Sequence, residues 1–176
     1  MTTCRTYNRA KDFWDYCWKL EEQGAELLNC GLYSRVFKHP KKKNVVIKVA
    51  VIEYGRPDGW FHYAKFLIDN KIKSPHAPKI YTLIRYRNMY VATMEQLKPF
   101  KTSNRQHVST LRAMTRGLAT GRPIRSKNLR LKSFIKKLNG YKPFGKLDLD
   151  LHYDNVMVRR SVLVLTDPYC GEMRVK

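Results

Sequence analysis

Acidic side chains near the end of the chain are the first candidates for chemistry. The stretch from Gln96 to Leu147 carries fourteen Lys or Arg residues and no Asp or Glu. Carboxylates that lie close together repel one another unless a positive charge sits among them. In a chain this basic, a late group of acids therefore points to a metal site. The acids that follow Glu95 are Asp148, Asp150, Asp154, Asp167 and Glu172.

Asp150 and Asn155 have the spacing D-x-x-x-x-N, in the run DLHYDN. In phosphoryl-transfer loops with this spacing, the Asp accepts the proton of the attacking hydroxyl and the Asn oxygen binds magnesium. Asp167 ends an apolar run twelve residues after Asn155, and Mg²⁺ favours one or two carboxylates completed by phosphate oxygens and waters. The alternative is structural, namely a polar turn before a hairpin and an Asp-Pro turn after it.

Lys48 stands alone in a run of β-branched residues, Val45–Val51, that is typical of a buried strand. Burying an ammonium group is costly unless an anion accompanies it, and nucleotide phosphates would supply that anion. The alternative is a lysine whose head reaches solvent from an edge strand. The turn around Gly31 lies between two predicted strands, where small residues let backbone N–H groups approach phosphates. Taken alone, this turn is better explained as an ordinary hairpin turn.

The elements that must position these residues differ between the two halves of the chain. Periodicity predicts helices at 11–28, 60–71, 106–119 and 127–138, and strands within 27–37 and at 45–51, 80–86, 89–94, 156–158 and 162–166. A strand-rich first half and a helix-rich second half predict an α+β fold with two lobes in a single domain, residues 1–176. The predicted parts are a small antiparallel-sheet N-lobe with a helix at about 1–95, a hinge at about 95–99, and a reduced helical C-lobe at about 100–176.

Composition narrows the class of protein. The formal net charge is +21 over 176 residues, and 43% of the residues are hydrophobic, which is enough for a buried core. So basic a chain is drawn to polyanions. No apolar stretch reaches the ~20 residues that span a bilayer, and the N-terminal residues lack the apolar core of a signal peptide. The four cysteines form no C-x-x-C pair, so we expect free thiols in a reducing cytoplasm and no zinc site.

The order of these motifs resembles the atypical protein-kinase-like superfamily. Val46-Ile47-Lys48-Val49 is similar to the V-A-I-K strand, while DLHYDN and Leu165-Thr166-Asp167-Pro168 resemble the D-x-H-x-x-N and D-P variants of minimal members. A closer likeness is to the early serine/threonine protein kinases of T7-like lytic bacteriophages. It is carried by those motifs and by residues 12–14, 18–20, 28–40 and 150–157, and the middle of the chain, 97–145, matches by position only.

The resemblance implies ATP- and Mg²⁺-dependent phosphorylation of host bacterial proteins, such as transcription or RNA-processing factors, in the cytoplasm of the infected cell. It implies catalytic roles for Lys48, Asp150, Asn155 and Asp167, with Asn155 and Asp167 as metal ligands. His152 would support the loop that carries Asp150. The implied nucleotide-binding residues are Asn29, Gly31, Ser34, Val36, Lys48, Glu95 and Leu97, of which the last two belong to the hinge near adenine.

Three departures from the kinase pattern keep other functions open. The turn around Gly31 has one glycine where the pattern G-x-G-x-x-G-x-V has three. The predicted helix 60–71 offers no Glu to Lys48, so Asp58 or Asp69 would have to replace it, because Glu53 is too near to Lys48 in the sequence. Only nine residues follow Asp167, where ordinary kinases build their peptide platform, so we expect substrates to dock on the basic 97–146 segment.

The first alternative is therefore a pseudokinase that binds a host factor. A second is a basic binder of nucleic acid or another polyanion through residues 97–146. A third, a small-molecule kinase of the aminoglycoside type, is disfavoured because such enzymes surround cationic substrates with acidic pockets, whereas this neighbourhood is basic.

Overall fold

The computed structural model describes residues 3–31, 34–52 and 59–171, and the side chains of 3–10 and 146 lie outside that description. The fold is α+β, as predicted. The described helices are α1 (Thr3–Glu22), α2 (Gly59–Asp69), α3 (Arg105–Thr120) and α4 (Leu129–Asn139). The described strands are β1 (Leu27–Cys30), β2 (Ser34–Lys38), β3 (Val45–Val51), β4 (Ile80–Tyr86), β5 (Met89–Glu95), β6 (Lys98–Pro99), β7 (Asp148–Leu149), β8 (Val156–Arg159), β9 (Val162–Leu165) and β10 (Tyr169–Cys170). None of the helices in these ranges is long and apolar enough to cross a lipid bilayer.

The chain is divided into two compact units. The first unit comprises Met1–Gly55 and Lys79–Gln96, and the second comprises Arg56–Pro78 and Leu97–Lys176. Residues 56–78, which the sequence interpretation assigned to the N-lobe, therefore group with the second unit. Helix α2 belongs to the unit that also carries Asp150, Asn155 and Asp167.

The first unit is a five-stranded antiparallel sheet with helix α1 on one face. The strand order is β1-β2-β3-β5-β4. Phe13, Cys17 and Leu20 recur at helical spacing along α1, and together they bury one apolar side of that helix. They pack in one core with Phe37 of β2 and Ile47 of β3, which lie directly opposite each other in the sheet.

Helix α1 differs in extent from the prediction of 11–28. It begins at Thr3 and ends at Glu22, because Gly24 adopts a φ of 82°, which suits glycine and stops the helix. The N–H of Gly24 donates to the Glu21 carbonyl at 2.9 Å. Leu27 and Leu28 consequently belong to β1, and both remain exposed.

The second unit contains helices α2, α3 and α4 and two small antiparallel sheets. Their strand orders are β6-β8-β9 and β7-β10. Helices α3 and α4 begin at Asn104 and Asn128, whose side chains accept hydrogen bonds from His107 and Leu131 backbone N–H groups. Strands β7 and β10 were not predicted. Each has only two residues, which is too short to show the alternation of apolar and polar residues that indicates a strand.

Helix α2 is fastened to the chain on both sides of Asp167. The Nε1–H of Trp60 donates to the Thr166 carbonyl, and the Tyr63 hydroxyl donates to the Leu165 carbonyl, both at 2.9 Å. At Gly59 a Cβ atom would collide with the Tyr169 carbonyl, so only glycine permits this approach of α2 to β10. Burial raises the pKa of Tyr63 well above its usual value, so its hydroxyl stays protonated as a donor.

Candidate active site

The 150–155 loop connects β7 to the hairpin β8–β9 and ends in a short 3₁₀ turn over Tyr153–Asn155. Backbone hydrogen bonds fix both ends of this loop. The Asp150 N–H donates to the Pro168 carbonyl at 2.9 Å. The Asn155 carbonyl accepts from the N–H groups of Thr166, at 3.0 Å, and Asp167, at 3.2 Å. The second unit thus brings Asp150, Asn155 and Asp167 together, although they are up to seventeen residues apart in the chain.

The side chain of Asn155 is oriented by Asp150. Its Nδ2 donates to the Asp150 backbone carbonyl at 2.6 Å and to the carboxylate Oδ2 at 3.0 Å. Only the nitrogen of an amide can donate, so these two contacts decide which way the amide faces. The Asn155 Oδ1 is consequently directed away from Asp150 and is the atom left to coordinate a cation.

His152 lies against the same two side chains. Its Nε2 is 3.0 Å from Asn155 Nδ2 and 3.6 Å from Asp150 Oδ1. Its Nδ1 accepts from the Asp154 N–H at 3.3 Å, which caps the short 3₁₀ turn. These contacts place His152 beside Asp150 and Asn155, and its support of the loop that carries Asp150 stays a prediction.

Asn155 and Asp167 carry oxygen donors of the type that a magnesium ion prefers. No group of three or more His, Cys, Asp or Glu side chains in the described ranges is arranged to hold a metal ion. Asn155 and Asp167 would offer a smaller set, one amide oxygen and one carboxylate, of the kind that Mg²⁺ completes with phosphate oxygens and waters. Asp167 is half-buried, and the backbone contact with Asn155 keeps the two residues adjacent.

A short segment before β4 supports the hairpin that carries the site. The Arg159 guanidinium donates to the carbonyls of Pro75, at 3.0 Å, and Ala77, at 2.9 Å. Between them, His76 donates from Nδ1 to the Leu163 carbonyl at 2.9 Å, and its own carbonyl accepts from the Leu165 N–H at 3.0 Å. These four hydrogen bonds hold β8 and β9 in place without using any residue of the 150–155 loop.

The buried ring of His76 makes the stability of this unit depend on pH. Burial lowers the pKa of His76 below its ordinary value of 6.5, the hydrogen bond to Leu163 opposes that shift, and the Arg159 charge adds to it. Because the unfolded chain takes up a proton near pH 6.5 and the folded chain does not, stability is full above that pH. It falls as the pH drops from about 6.5 toward the folded pKa.

We therefore expect the unfolding free energy of the wild type to decline by up to ~1.4 kcal/mol per pH unit more than that of His76→Asn as the pH falls below about 6.5. Urea titrations at several pH values measure this difference. His62→Asn, on the half-exposed side of α2, is the matched control and should retain the wild-type slope. Parallel pH profiles for the wild type and His76→Asn would contradict the assignment.

Lys48 lies in β3, within the first unit. It is buried, with 8% of its surface exposed, and its Cα pairs with Val36 of β2 and Ala92 of β5. Directly opposite residues of an antiparallel pair point to the same side of the sheet. Lys48 and Val36 therefore share one face, while Ile47 and Phe37 point to the other face, where α1 packs.

Alternation along the strands adds residues that sequence reasoning missed. Val46 and Met94 are opposite each other in β3 and β5, and both lie on the same side as Lys48, as does Ala92. This face therefore combines the buried cation of Lys48 with apolar side chains, and the exposed Lys38 of β2 lies opposite Val46 on the same face. The sequence could have indicated Val46, because residues two positions apart in a strand lie on the same face and Val46 precedes Lys48 by two.

The turn predicted to lie over the phosphates joins β1 and β2. Gly31 donates its N–H to the Ser34 carbonyl at 2.8 Å, and the Asn29 Oδ1 accepts from the Cys30 N–H at 2.9 Å. Asn29 also pairs in register with Val36. The first unit therefore brings Asn29, Gly31, Ser34 and Val36 close to one another, whereas residues 32–33 at the turn lie outside the described residues.

The predicted hinge residues fall in different units. Glu95 ends β5 in the first unit, where its Oε1 accepts from the Lys79 N–H at 2.7 Å. Leu97 is the first residue of the last segment of the second unit and is half-buried. Glu95 therefore has a structural contact of its own, and its contribution to adenine binding stays a prediction.

Of the acidic residues considered as partners for Lys48, the structure describes only Asp69. Glu53 and Asp58 lie outside the described residues. Asp69, at the end of α2, forms an ion pair with Lys65 at 2.8 Å on an exposed part of the helix. Helix α2 itself contains no Glu, as the sequence indicated.

Comparison with known proteins adds no assignment to this geometry. The chain matches none of the protein families against which it was compared. No curated protein resembles it significantly either. The functional interpretation therefore depends on the positions of the residues described above.

Proposed function

We propose that this chain is an ATP- and Mg²⁺-dependent protein kinase with a reduced, two-lobed kinase-like fold. The observation that carries the proposal is the set of hydrogen bonds that connects Asn155 to both Asp150 and Asp167. The side-chain amide of Asn155 donates to the Asp150 carboxylate. The backbone carbonyl of Asn155 accepts a hydrogen bond from the Asp167 N–H. A turn with a purely structural role would need the backbone bonds, but not an amide turned toward a carboxylate.

Each residue then has a defined task. Asp150, held by Asn155, orients the hydroxyl of the acceptor and takes its proton as the oxygen attacks the γ-phosphorus and the ADP oxygen leaves. Lys48 binds the α- and β-phosphates from its face of the five-stranded sheet. Asn155 Oδ1 and the Asp167 carboxylate would hold Mg²⁺, which supplies neutralisation of charge on the phosphate oxygens. Most of the rate enhancement comes from positioning and electrostatics.

The acceptor and the biological setting follow from the resemblance to phage kinases. Serine or threonine side chains of host bacterial proteins are the proposed acceptors, with transcription and RNA-processing factors as the first candidates. The basic segment 97–146 is the proposed contact for such substrates. The host cytoplasm, where ATP and these proteins occur, is the proposed location.

A pseudokinase is the second candidate, and one observation favours it. Helix α2 carries no Glu, and its Asp69 is engaged by Lys65 instead. In protein kinases the Lys–Glu ion pair must be in place for transfer. A chain that binds ATP through Lys48 without transferring phosphate would fit this feature, so the two candidates are separated by activity and not by binding.

Incubation of the purified protein with γ-labelled ATP and Mg²⁺, with and without bacterial lysate, tests the proposal. We expect labelled protein bands with the wild type and a loss of at least about a hundredfold in Asp150→Asn, which removes the proton acceptor. Asp154→Asn removes the same charge from an exposed neighbour, whose side chain is 91% exposed, and should label normally.

Absence of label, with ATP still raising the melting temperature, would replace the kinase by the pseudokinase. Equal labelling by the wild type and Asp150→Asn would remove Asp150 from the mechanism. Absence of both label and thermal shift would reject nucleotide binding altogether.

A further inference from the structure

Helix α3 and the loop that follows it line a basic groove within the second unit. Its larger part has a volume of about 660 Å³, and a smaller part of about 380 Å³ adjoins it, with Ser109 and Arg112 lining both. We name this feature the arginine groove after its five cations. They are Arg105, Arg112, Arg116, Arg122 and Arg125.

Among the residues that the structure describes, no carboxylate pairs with any of these five guanidinium groups. No Asp or Glu of the described part of the chain lines the groove. By contrast, Arg87 pairs with Asp12 at 3.0 Å, and Arg159 donates to two carbonyls. Like charges gathered on one surface repel one another, and a bound polyanion would relieve that repulsion.

The cations are arranged along a line. Arg105, Arg112 and Arg116 are separated by seven and four residues, so they fall on one side of α3 and extend over ~16 Å of its length. Gly121, with a φ of 65°, ends the helix and turns the chain so that Arg122 and Arg125 line the same groove. One strand of duplex nucleic acid carries about five phosphates over ~16 Å. A single phosphate group would occupy only a fraction of this line.

The lining favours contacts to phosphates over stacking on bases. Apart from the arginines it consists of hydroxyl and small or aliphatic residues, and no aromatic side chain is among them. Stacking on aromatic rings is the usual way in which a protein holds exposed bases. Guanidinium groups and hydroxyls instead bind phosphate oxygens, which carry no sequence information.

We propose that the arginine groove binds the phosphate backbone of nucleic acid without sequence preference. This activity is separate from the proposed kinase chemistry, because it uses none of the residues assigned to ATP or to phosphoryl transfer. A kinase with this groove would be concentrated near substrates that are themselves bound to DNA or RNA.

The test is fluorescence anisotropy with labelled 20-base-pair duplexes of two unrelated sequences, in the absence of ATP and over a series of salt concentrations. We expect equal affinity for the two sequences and a linear fall of log K with log salt concentration. The double variant Arg112→Gln/Arg116→Gln should bind at least tenfold more weakly near 0.1 M salt, with a salt slope reduced by about 1.8.

Lys136→Gln/Lys137→Gln is the matched control, because it removes the same charge from exposed positions of α4 that do not line the groove. The affinity of this control variant for the duplex should fall by less than threefold. A second groove variant, Arg122→Gln/Arg125→Gln, should behave like the first, and circular dichroism of each variant confirms that it is folded.

Equal losses in the groove variants and the control would overturn the proposal, since diffuse charge would then explain binding. Competition by poly-glutamate as effective as that by unlabelled duplex of equal charge would also overturn it, in favour of an acidic protein partner. Asp150→Asn should bind duplex with the same affinity as the wild type. The binding experiment can therefore be interpreted even if the protein proves to have no kinase activity.

Discussion

Substitution of Asp167 by Asn is expected to reduce phosphoryl transfer by ~10³-fold or more, the range found for charge-stabilising groups in this chemistry. The change keeps the size of the side chain and the backbone N–H that donates to the Asn155 carbonyl, so the fold of the second unit should persist. It removes the only carboxylate proposed to hold Mg²⁺. The rate of label transfer at saturating ATP measures the effect.

The best control for this substitution is Asp154→Asn, which removes the same charge from an exposed side chain four residues after Asp150. Its rate should stay within about threefold of the wild type, as expected for a surface charge. Raising the Mg²⁺ concentration should not rescue Asp167→Asn fully, because the missing group is a ligand and not a general charge. A rate near that of the wild type would exclude Asp167 as a metal ligand.

Substitution of Lys48 by Met is expected to lower kcat/KM for ATP by ~10²- to 10³-fold, the usual loss when one preorganised charge is removed from a transferring group. Methionine retains the aliphatic length of lysine, so the packing of β3 beside Val36 and Ala92 is preserved. A thermal-shift titration with ATP should show weaker binding in the same variant.

The matched control is Lys43→Met, an exposed lysine in the turn before β3. It removes the same charge from the same unit, and its ATP affinity should stay close to that of the wild type. If Lys43→Met and Lys48→Met lost equal activity, bulk charge would be responsible. If neither lost activity, the buried position of Lys48 would have a structural cause.

The strands of the first unit were predictable because their signal is local. The β-branched run Val45–Val51 becomes β3 over the same residues, and the turn at Arg87-Asn88 connects β4 and β5 as predicted, with Arg87 at a φ of 50°. Alternation and turn chemistry act within a few residues, so they are visible in a single sequence. The same holds for helices α2, α3 and α4, whose bounds differ from prediction by one or two residues.

Features that depend on distant residues were not predictable in this way. The grouping of α2 with the second unit rests on hydrogen bonds to Leu165 and Thr166, a hundred residues away. The spacing of Asp150 and Asn155 suggested a shared site, but the direction of the Asn155 amide follows only from its contacts. Likewise, the excess of positive charge was plain in the composition, whereas its alignment along α3 required the helix to be placed.

The attachment of α2 has a mechanical consequence. The side chains of Trp60 and Tyr63 donate to the carbonyls of Thr166 and Leu165, just before Asp167, and the backbone of Gly59 packs against the Tyr169 carbonyl, two residues after it. We therefore expect a displacement of the helix to move the backbone on both sides of Asp167 as well. A partner that pushed on the exposed side of α2, near Lys65, would displace the proposed metal ligand as well. Control of such a site would act through metal affinity, so inhibition would weaken as the Mg²⁺ concentration rises.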